Sequence, residues 1–127
     1  MARAPKPSEL ELKVLSLLWE RGPMTVRSVL DELPDRKERA YTTVLSVLQV
    51  MEKKGLVTHT RQGLTHLYKA AVNKNTIVKP IVRQMLRDLF SGRASTAMQY
   101  LLGEGDVSPD ELAEMRRLID EASRRPR

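Results

Sequence analysis

Between Tyr41 and Lys54 lies a run in which short hydroxyl residues recur at helical spacing: Thr42, Thr43 and Ser46, followed by Gln49, Val50 and Lys53. At about 100° per residue these six fall on one side of a helix, while Ala40, Val44, Val47, Leu48 and Met51 fall on the other. Short hydroxyls let a helix sit deep in the major groove of a DNA duplex. Threonine methyl groups can meet thymine methyl groups there, and an amide such as Gln49 can pair with an adenine edge. Lys53 and Lys54, at the end of the run, suit phosphates or solvent. Glu52 is the one carboxylate between Thr42 and Lys53, and it lies toward the flank.

A second source of polar contacts follows about ten residues later. Arg61 and Gln62 sit beside a glycine, with His59, His66 and Lys69 around them. Arg61 is the candidate for a phosphate or minor-groove contact, with a solvated turn arginine as the plainer alternative. The chain's two histidines, with neither cysteine nor a carboxylate pair beside them in sequence, make a poor metal site. No glycine-rich phosphate loop and no catalytic carboxylate pair at helical spacing occurs, so neither catalysis nor a cofactor is expected. The lack of cysteine also excludes thiol chemistry, disulfides and zinc–thiolate sites.

These side chains need a scaffold, and the pattern supplies one. Residues 1–7, with two prolines and two basic residues, read as a flexible arm. Ser8 and Glu11 form a capping-box signature for a first helix carrying Leu10, Val14, Leu17 and Leu18, which Gly22-Pro23 stops. Thr25 caps a short second helix, Val26 to Leu33, ended by Pro34. The charged connection Asp35-Arg36-Lys37-Glu38 then leads to the reading helix, roughly Arg39 to Lys54. After Gly55 the period changes to alternation: Leu56 to Thr60, a turn at Gln62-Gly63, then Thr65 to Ala71, with Leu67 and Val57 on the buried side. Three helices and a hairpin in this order predict a winged helix-turn-helix over residues 8–74.

The remainder reads as a helical domain over 75–123 with a tail at 124–127. One helix is predicted from near Lys79, because Pro80 suits only a helix start. The segment 77–90 carries Ile77, Ile81, Met85 and Leu89 along its apolar side. A second runs from Ala94 to Leu102. The third has Ser108 as cap, Pro109 at its first position and Glu111 completing a box, with Leu112, Met115 and Ile119 on its stripe. Such short helices bury little core alone. The economical solution is a homodimer sharing one core through Ile77, Ile81, Met85, Leu89, Leu101, Leu112, Met115 and Ile119; the alternative is packing onto the chain's own N-terminal domain.

Charge follows the same division. The chain of 127 residues carries a net +6, with 22 basic and 16 acidic side chains. Residues 1–74 hold 13 basic and 8 acidic groups against 9 and 8 beyond, which suits DNA at one end and protein contact at the other. The opening residues lack a signal-peptide core and charges interrupt every long apolar run, so a soluble, cytoplasmic protein with no membrane insertion is expected. Overall the fold class is mainly α with a small β-hairpin. The functional readings are a DNA-binding regulator or a winged-helix protein-interaction module.

Three runs carry a resemblance. Leu10-Glu11-Leu12-Lys13-Val14-Leu15-Ser16-Leu17-Leu18-Trp19, Ala40-Tyr41-Thr42-Thr43-Val44-Leu45-Ser46-Val47-Leu48 and Lys53-Lys54-Gly55-Leu56-Val57 together resemble the penicillinase repressor family. That family includes the beta-lactamase and methicillin-resistance repressors and their copper-responsive relatives. The resemblance extends over about residues 8–122, through Asp106-Val107-Ser108. It implies a homodimer on an inverted-repeat operator in double-stranded DNA, one winged helix per half-site, repressing nearby genes. It also implies a membrane-embedded metalloprotease sensor as a partner, responding to beta-lactam or cell-envelope stress and cleaving the repressor in its dimerisation domain. By match to the motif, Thr42, Thr43 and Ser46 take groove-facing positions and Arg61 a wing position.

Three departures from the family's pattern stand out. Val50 occupies a place where relatives commonly carry arginine, so an apolar contact replaces a reach to phosphate or guanine. The cleavage region falls at Tyr100-Leu101, where the best-known members have asparagine and phenylalanine. Cysteines used by the copper-responsive branch are absent, which argues against that kind of copper sensing.

Overall fold

The computed structural model describes residues 6–34, 40–103 and 105–126. In chain order the elements are α1 (Glu9–Arg21), α2 (Val26–Glu32), α3 (Tyr41–Lys53), β1 (Val57–Gln62), β2 (Thr65–Ala70), α4 (Lys74–Phe90), α5 (Ala94–Gly103) and α6 (Pro109–Ser123). They divide into two compact units, Met1–Pro80 and Ile81–Arg127. The division falls inside α4, later than the expected boundary after residue 74. Much of the expected arm (residues 1–5), the charged connection Asp35–Glu38 and Arg39 lie outside the described residues.

Local signals start the first unit. The Ser8 N–H donates to Glu11 Oε1 at 2.8 Å, and the Glu11 N–H donates to Ser8 Oγ at 3.2 Å, completing the capping box of α1. Gly22 ends that helix at φ +83°, its N–H reaching the Leu18 carbonyl at 2.9 Å. Its missing Cβ makes this left-handed exit accessible. Thr25 Oγ1 accepts from the Ser28 N–H at 3.1 Å and opens α2. The reading helix α3 begins later than expected, at Tyr41, with Ala40 at its N-cap and no side-chain cap.

The core forms where three helical stripes converge on the base of the hairpin. Val14, Leu15, Val29, Leu48, Met51, Leu56 and Val57 are fully buried, and Val44, Leu33 and Tyr68 nearly so. Each such aliphatic side chain contributes about 2 kcal/mol by leaving water. Two long-range tethers fix the hairpin: Met24 and Tyr68 exchange backbone hydrogen bonds at 2.8 and 2.9 Å, and the Trp19 indole N–H donates to the Val72 carbonyl at 3.0 Å.

Pairing of the antiparallel strands runs from Val57↔Ala70 to Gln62↔Thr65. Gln62 is therefore a strand residue, and the turn is Gly63-Leu64 rather than Gln62-Gly63. Gly63, at φ +65° in the first central position, gives the positive φ that a type II′ two-residue turn requires. Parity also corrects the buried side: Tyr68 is buried and Leu67 only half-buried, because Tyr68 shares its face with Val57.

In the second half, α4 starts at Lys74, ahead of the expected Lys79, and carries Pro80 internally. Asn73 gives the start signal, its Oδ1 accepting from the Asn75 N–H at 2.8 Å. Ser108 caps α6 through the Glu111 N–H at 3.1 Å, but no reciprocal Glu111 side-chain bond forms. Among the described residues no helix is long and apolar enough to cross a membrane.

Candidate nucleic-acid interface

The helix α3 separates its two faces completely. Val44, Leu48 and Met51 are buried at 1% exposure or less, whereas Thr42, Thr43, Ser46, Gln49, Val50 and Lys53 are all exposed. Thr42, Ser46, Gln49 and Lys53 recur at i, i+4, i+7 and i+11 and so form one row along the helix. Thr43 and Val50, seven residues apart, flank that row. Val50 is 45% exposed, an apolar side chain on an otherwise polar surface. The structure thus gathers all six sequence candidates on one solvent-facing side of one rigid element.

Alternation along β1 places Val57, His59 and Arg61 on the face shared with Ala70, Tyr68 and His66 of β2. That face turns toward α3, because His59 Nδ1 lies 2.7 and 2.9 Å from the two carboxylate oxygens of Glu52. Arg61 therefore projects from the helix-facing side of the wing, one pair before its end. It has no ion-pair partner among the described residues. His59 and His66 are not direct cross-strand partners: His59 pairs with Tyr68 and His66 with Arg61, and the two imidazoles stack diagonally at 4.4 Å. Glu52 is the nearby carboxylate that the sequence did not place beside them. Among the described residues no group of three histidines or carboxylates is arranged to hold a metal ion.

Lys54 departs most from expectation. Its Nζ lies 2.9 and 3.0 Å from the two oxygens of Glu11, whose carboxylate is almost entirely buried. Burial alone would raise the Glu11 pKa. The Ser8 backbone N–H and the Lys54 ammonium outweigh it and hold the carboxyl below its ordinary value. Lys54 is thus a structural cation joining the start of α1 to the end of α3, which leaves Lys53, with no ion pair among the described residues, as the lysine open to another partner.

Sequence reasoning also passed over Arg27. Its guanidinium lies 5.1 Å from the centre of the Tyr41 ring, in cation–π range at the start of α3. Arg27, Tyr41, Leu45, Gln49, Leu64 and His66 line an open cleft between α3 and the hairpin. Leu64, at the wing tip, is 95% exposed. Its place at the tip follows from the turn register, which the sequence reading set one residue too early.

The second unit contains no buried residue among those described. Ile81 and Met115 are half-buried, while Met85, Leu89, Leu101, Leu112 and Ile119 are exposed. Ile77 differs from this stripe: it is 4% exposed and belongs to the first unit, so its own chain already covers it. Tyr100 and Leu101 sit within α5, both exposed, with the Tyr100 ring edge-on to Phe90 at 5.4 Å.

The penicillinase repressor family model matches residues 7–121. The chain belongs to the penicillinase repressor family. A Mycobacterium tuberculosis relative described as transcriptional regulator BlaI is 33% identical over 123 residues, spanning 95% of this chain and 88% of that protein. The penicillinase repressor of Bacillus licheniformis is 21% identical over 125 residues, 98% of each chain.

Two solved structures share the N-terminal architecture. The DNA-binding domain of the repressor BlaI superposes with a TM-score of 0.51 at 24% identity, over 60% of this chain and 93% of that one. The monomeric form of Bacillus licheniformis BlaI in complex with the blaP half-operator gives 0.50, with the same identity and coverage. This member of the penicillinase repressor family is accordingly a transcriptional repressor, not an enzyme, and it has the winged-helix fold of those two structures.

Proposed function

We propose that the chain acts in the cytoplasm as a homodimeric repressor on an inverted-repeat operator, with one winged helix per half-site. In this reading α3 enters the major groove. Thr42, Thr43, Ser46, Gln49 and Val50 meet base edges, and Lys53 and Arg61 meet the phosphate backbone. One observation carries it: the exposed side of α3 presents six side chains without a carboxylate, because the helix's one acidic group, Glu52, is turned to the wing and held by His59. Bacillus licheniformis BlaI was solved on a half-operator, which supports the same docking here.

The exposure of the second unit supports dimerisation through it. Leu89 is 72% exposed, Tyr100 68% and Leu101 60%, and a unit in which no described residue is buried gains its core from a second copy. Release from DNA by a membrane-embedded metalloprotease sensor would act at Tyr100-Leu101 in α5. That bond differs from asparagine–phenylalanine, so it calls for a protease of different specificity.

Footprinting the palindromes near the chain's own gene tests the reading. A protected inverted repeat, with binding lost on Thr43→Ala or Ser46→Ala and the dimer intact, is the expected result. Equal affinity of the wild-type protein for the repeat and for scrambled DNA would overturn it.

A further inference from the structure

The outer half of the wing has almost nothing to rest on. Along β1 only Val57, at the base, is buried, and the residues from Thr58 to Gln62 are exposed. On β2 burial ends at Tyr68, leaving Thr65 and His66 exposed. A two-stranded hairpin without a packed face is marginal in water, and its free end opens at low free-energy cost. Yet Arg61 lies in that free end, and its usefulness on DNA depends on where the wing stands relative to α3.

One polar contact bridges the gap. His59 Nδ1 meets both oxygens of Glu52 at 2.7 and 2.9 Å. Among the described residues this is the only hydrogen bond between a side chain of the hairpin strands and a helix side chain. Each partner is about one-third exposed. The His59 ring is braced on its other side by His66, stacked at 4.4 Å with 20° between planes, and by Tyr68 at 5.3 Å. His66 is in turn the cross-strand partner of Arg61. A continuous line of contacts therefore runs from the last turn of the reading helix to the wing arginine: Glu52, His59, His66, Arg61.

We propose that Glu52 and His59 are positioning residues for DNA binding: a latch that holds the wing against α3, so that Arg61 and the reading helix engage DNA as one preorganised surface. The proposal rests on the DNA-docking reading above and adds a role for a carboxylate that otherwise only repels phosphate. The two effects of Glu52 have opposite signs. As a bare charge beside DNA it weakens binding, and its removal should tighten the complex. As half of a latch its removal frees the wing, and the Arg61 contact must then be formed at an ordering cost.

Operator affinity measured against salt concentration separates these cases, using wild type, Glu52→Gln, His59→Gln, Arg61→Ala and the double variant Glu52→Gln/Arg61→Ala. The latch predicts that Glu52→Gln and His59→Gln each bind about threefold to fivefold more weakly, the scale of one exposed polar contact. Each should lose up to about one unit of salt slope, the share of a single phosphate contact. In the Arg61→Ala background, Glu52→Gln should cost nothing further. Thermal midpoints should stay near that of wild type, because neither partner is in the core. Tighter binding by Glu52→Gln, or equal losses in the presence and absence of Arg61, overturns the latch while leaving the docking reading intact. Failure of the wild-type protein to prefer operator over scrambled DNA overturns the docking reading itself.

Discussion

Lys54 Nζ sits between the two carboxylate oxygens of Glu11, at 2.9 and 3.0 Å, while the neighbouring Lys53 points to solvent. Consecutive lysines at the end of one helix thus have separate tasks. Glu11 already receives its own capping bond from Ser8, so a single carboxylate closes the start of α1 and anchors the end of α3. The reading helix is fastened to the scaffold at its C-terminal end by this pair.

Truncating each lysine should expose the difference. Lys54→Ala leaves the Glu11 carboxylate buried with its ammonium partner gone, and is expected to lower unfolding free energy by about 1–2 kcal/mol, below a fully buried pair because Lys54 is partly solvated. Lys53→Ala should leave stability unchanged but reduce the salt dependence of operator binding by about one unit. Denaturant melts and salt-dependent binding titrations of both variants check this; a lowered salt slope for Lys54→Ala would place that lysine on phosphate instead.

The same pair sets an acid limit. Glu11 is held below its ordinary pKa in the folded chain, so in the window beneath about pH 4.3, the unfolded glutamate value, the unfolded state binds more protons than the folded one. Its stabilising contribution is complete above that value and is lost as pH falls through the depressed folded value. Urea midpoints of wild type should decline across this window, and those of Glu11→Gln should start lower and decline less steeply. Parallel curves would remove Glu11 from the acid transition.

Val50 offers a gain-of-contact experiment. It is exposed on the reading face between Ser46 and Lys53, an apolar side chain where a guanidinium would add a charge. Val50→Arg should add about one unit of salt slope if it meets phosphate. If it meets a base edge, preference at the facing base pair should shift toward guanine by about 1–3 kcal/mol. Selection of binding sites from a randomised operator distinguishes the two. Identical preference and slope would put position 50 off the DNA.

For the second unit, a charge on the exposed stripe should separate the protomers of the proposed dimer. Leu89→Asp combined with Leu101→Asp is expected to convert the dimer to monomer in sedimentation and to weaken full-operator binding more than half-operator binding. Trp19, the chain's one tryptophan, lies in the first unit and should keep its native fluorescence. A double variant that sediments as a dimer would move the interface elsewhere.

Much of this molecule is legible in the chain itself, because it follows from short-range rules. The helical period puts Thr42, Ser46 and Lys53 opposite Val44, Leu48 and Met51 whatever else surrounds α3. Ser8 with Glu11, Thr25, and Ser108 with Pro109 announce helix starts through bonds spanning three residues. The change to alternation after Gly55 announces the hairpin.

Tertiary structure alone decided the rest. Whether Tyr68 or Leu67 faces inward depends on a strand register that shifts both faces with a one-residue slip. Asn73 opens α4 ahead of Pro80 because its cap bond and the packing of Ile77 outweigh one lost backbone bond. Lys54 meets Glu11 across 43 residues and His59 meets Glu52 across a strand boundary, and neither spacing has a local signature. Local periodicity assigns a residue to a face. Only the folded arrangement of α1, α3 and the wing determines which charge on that face is already paired and which remains for DNA.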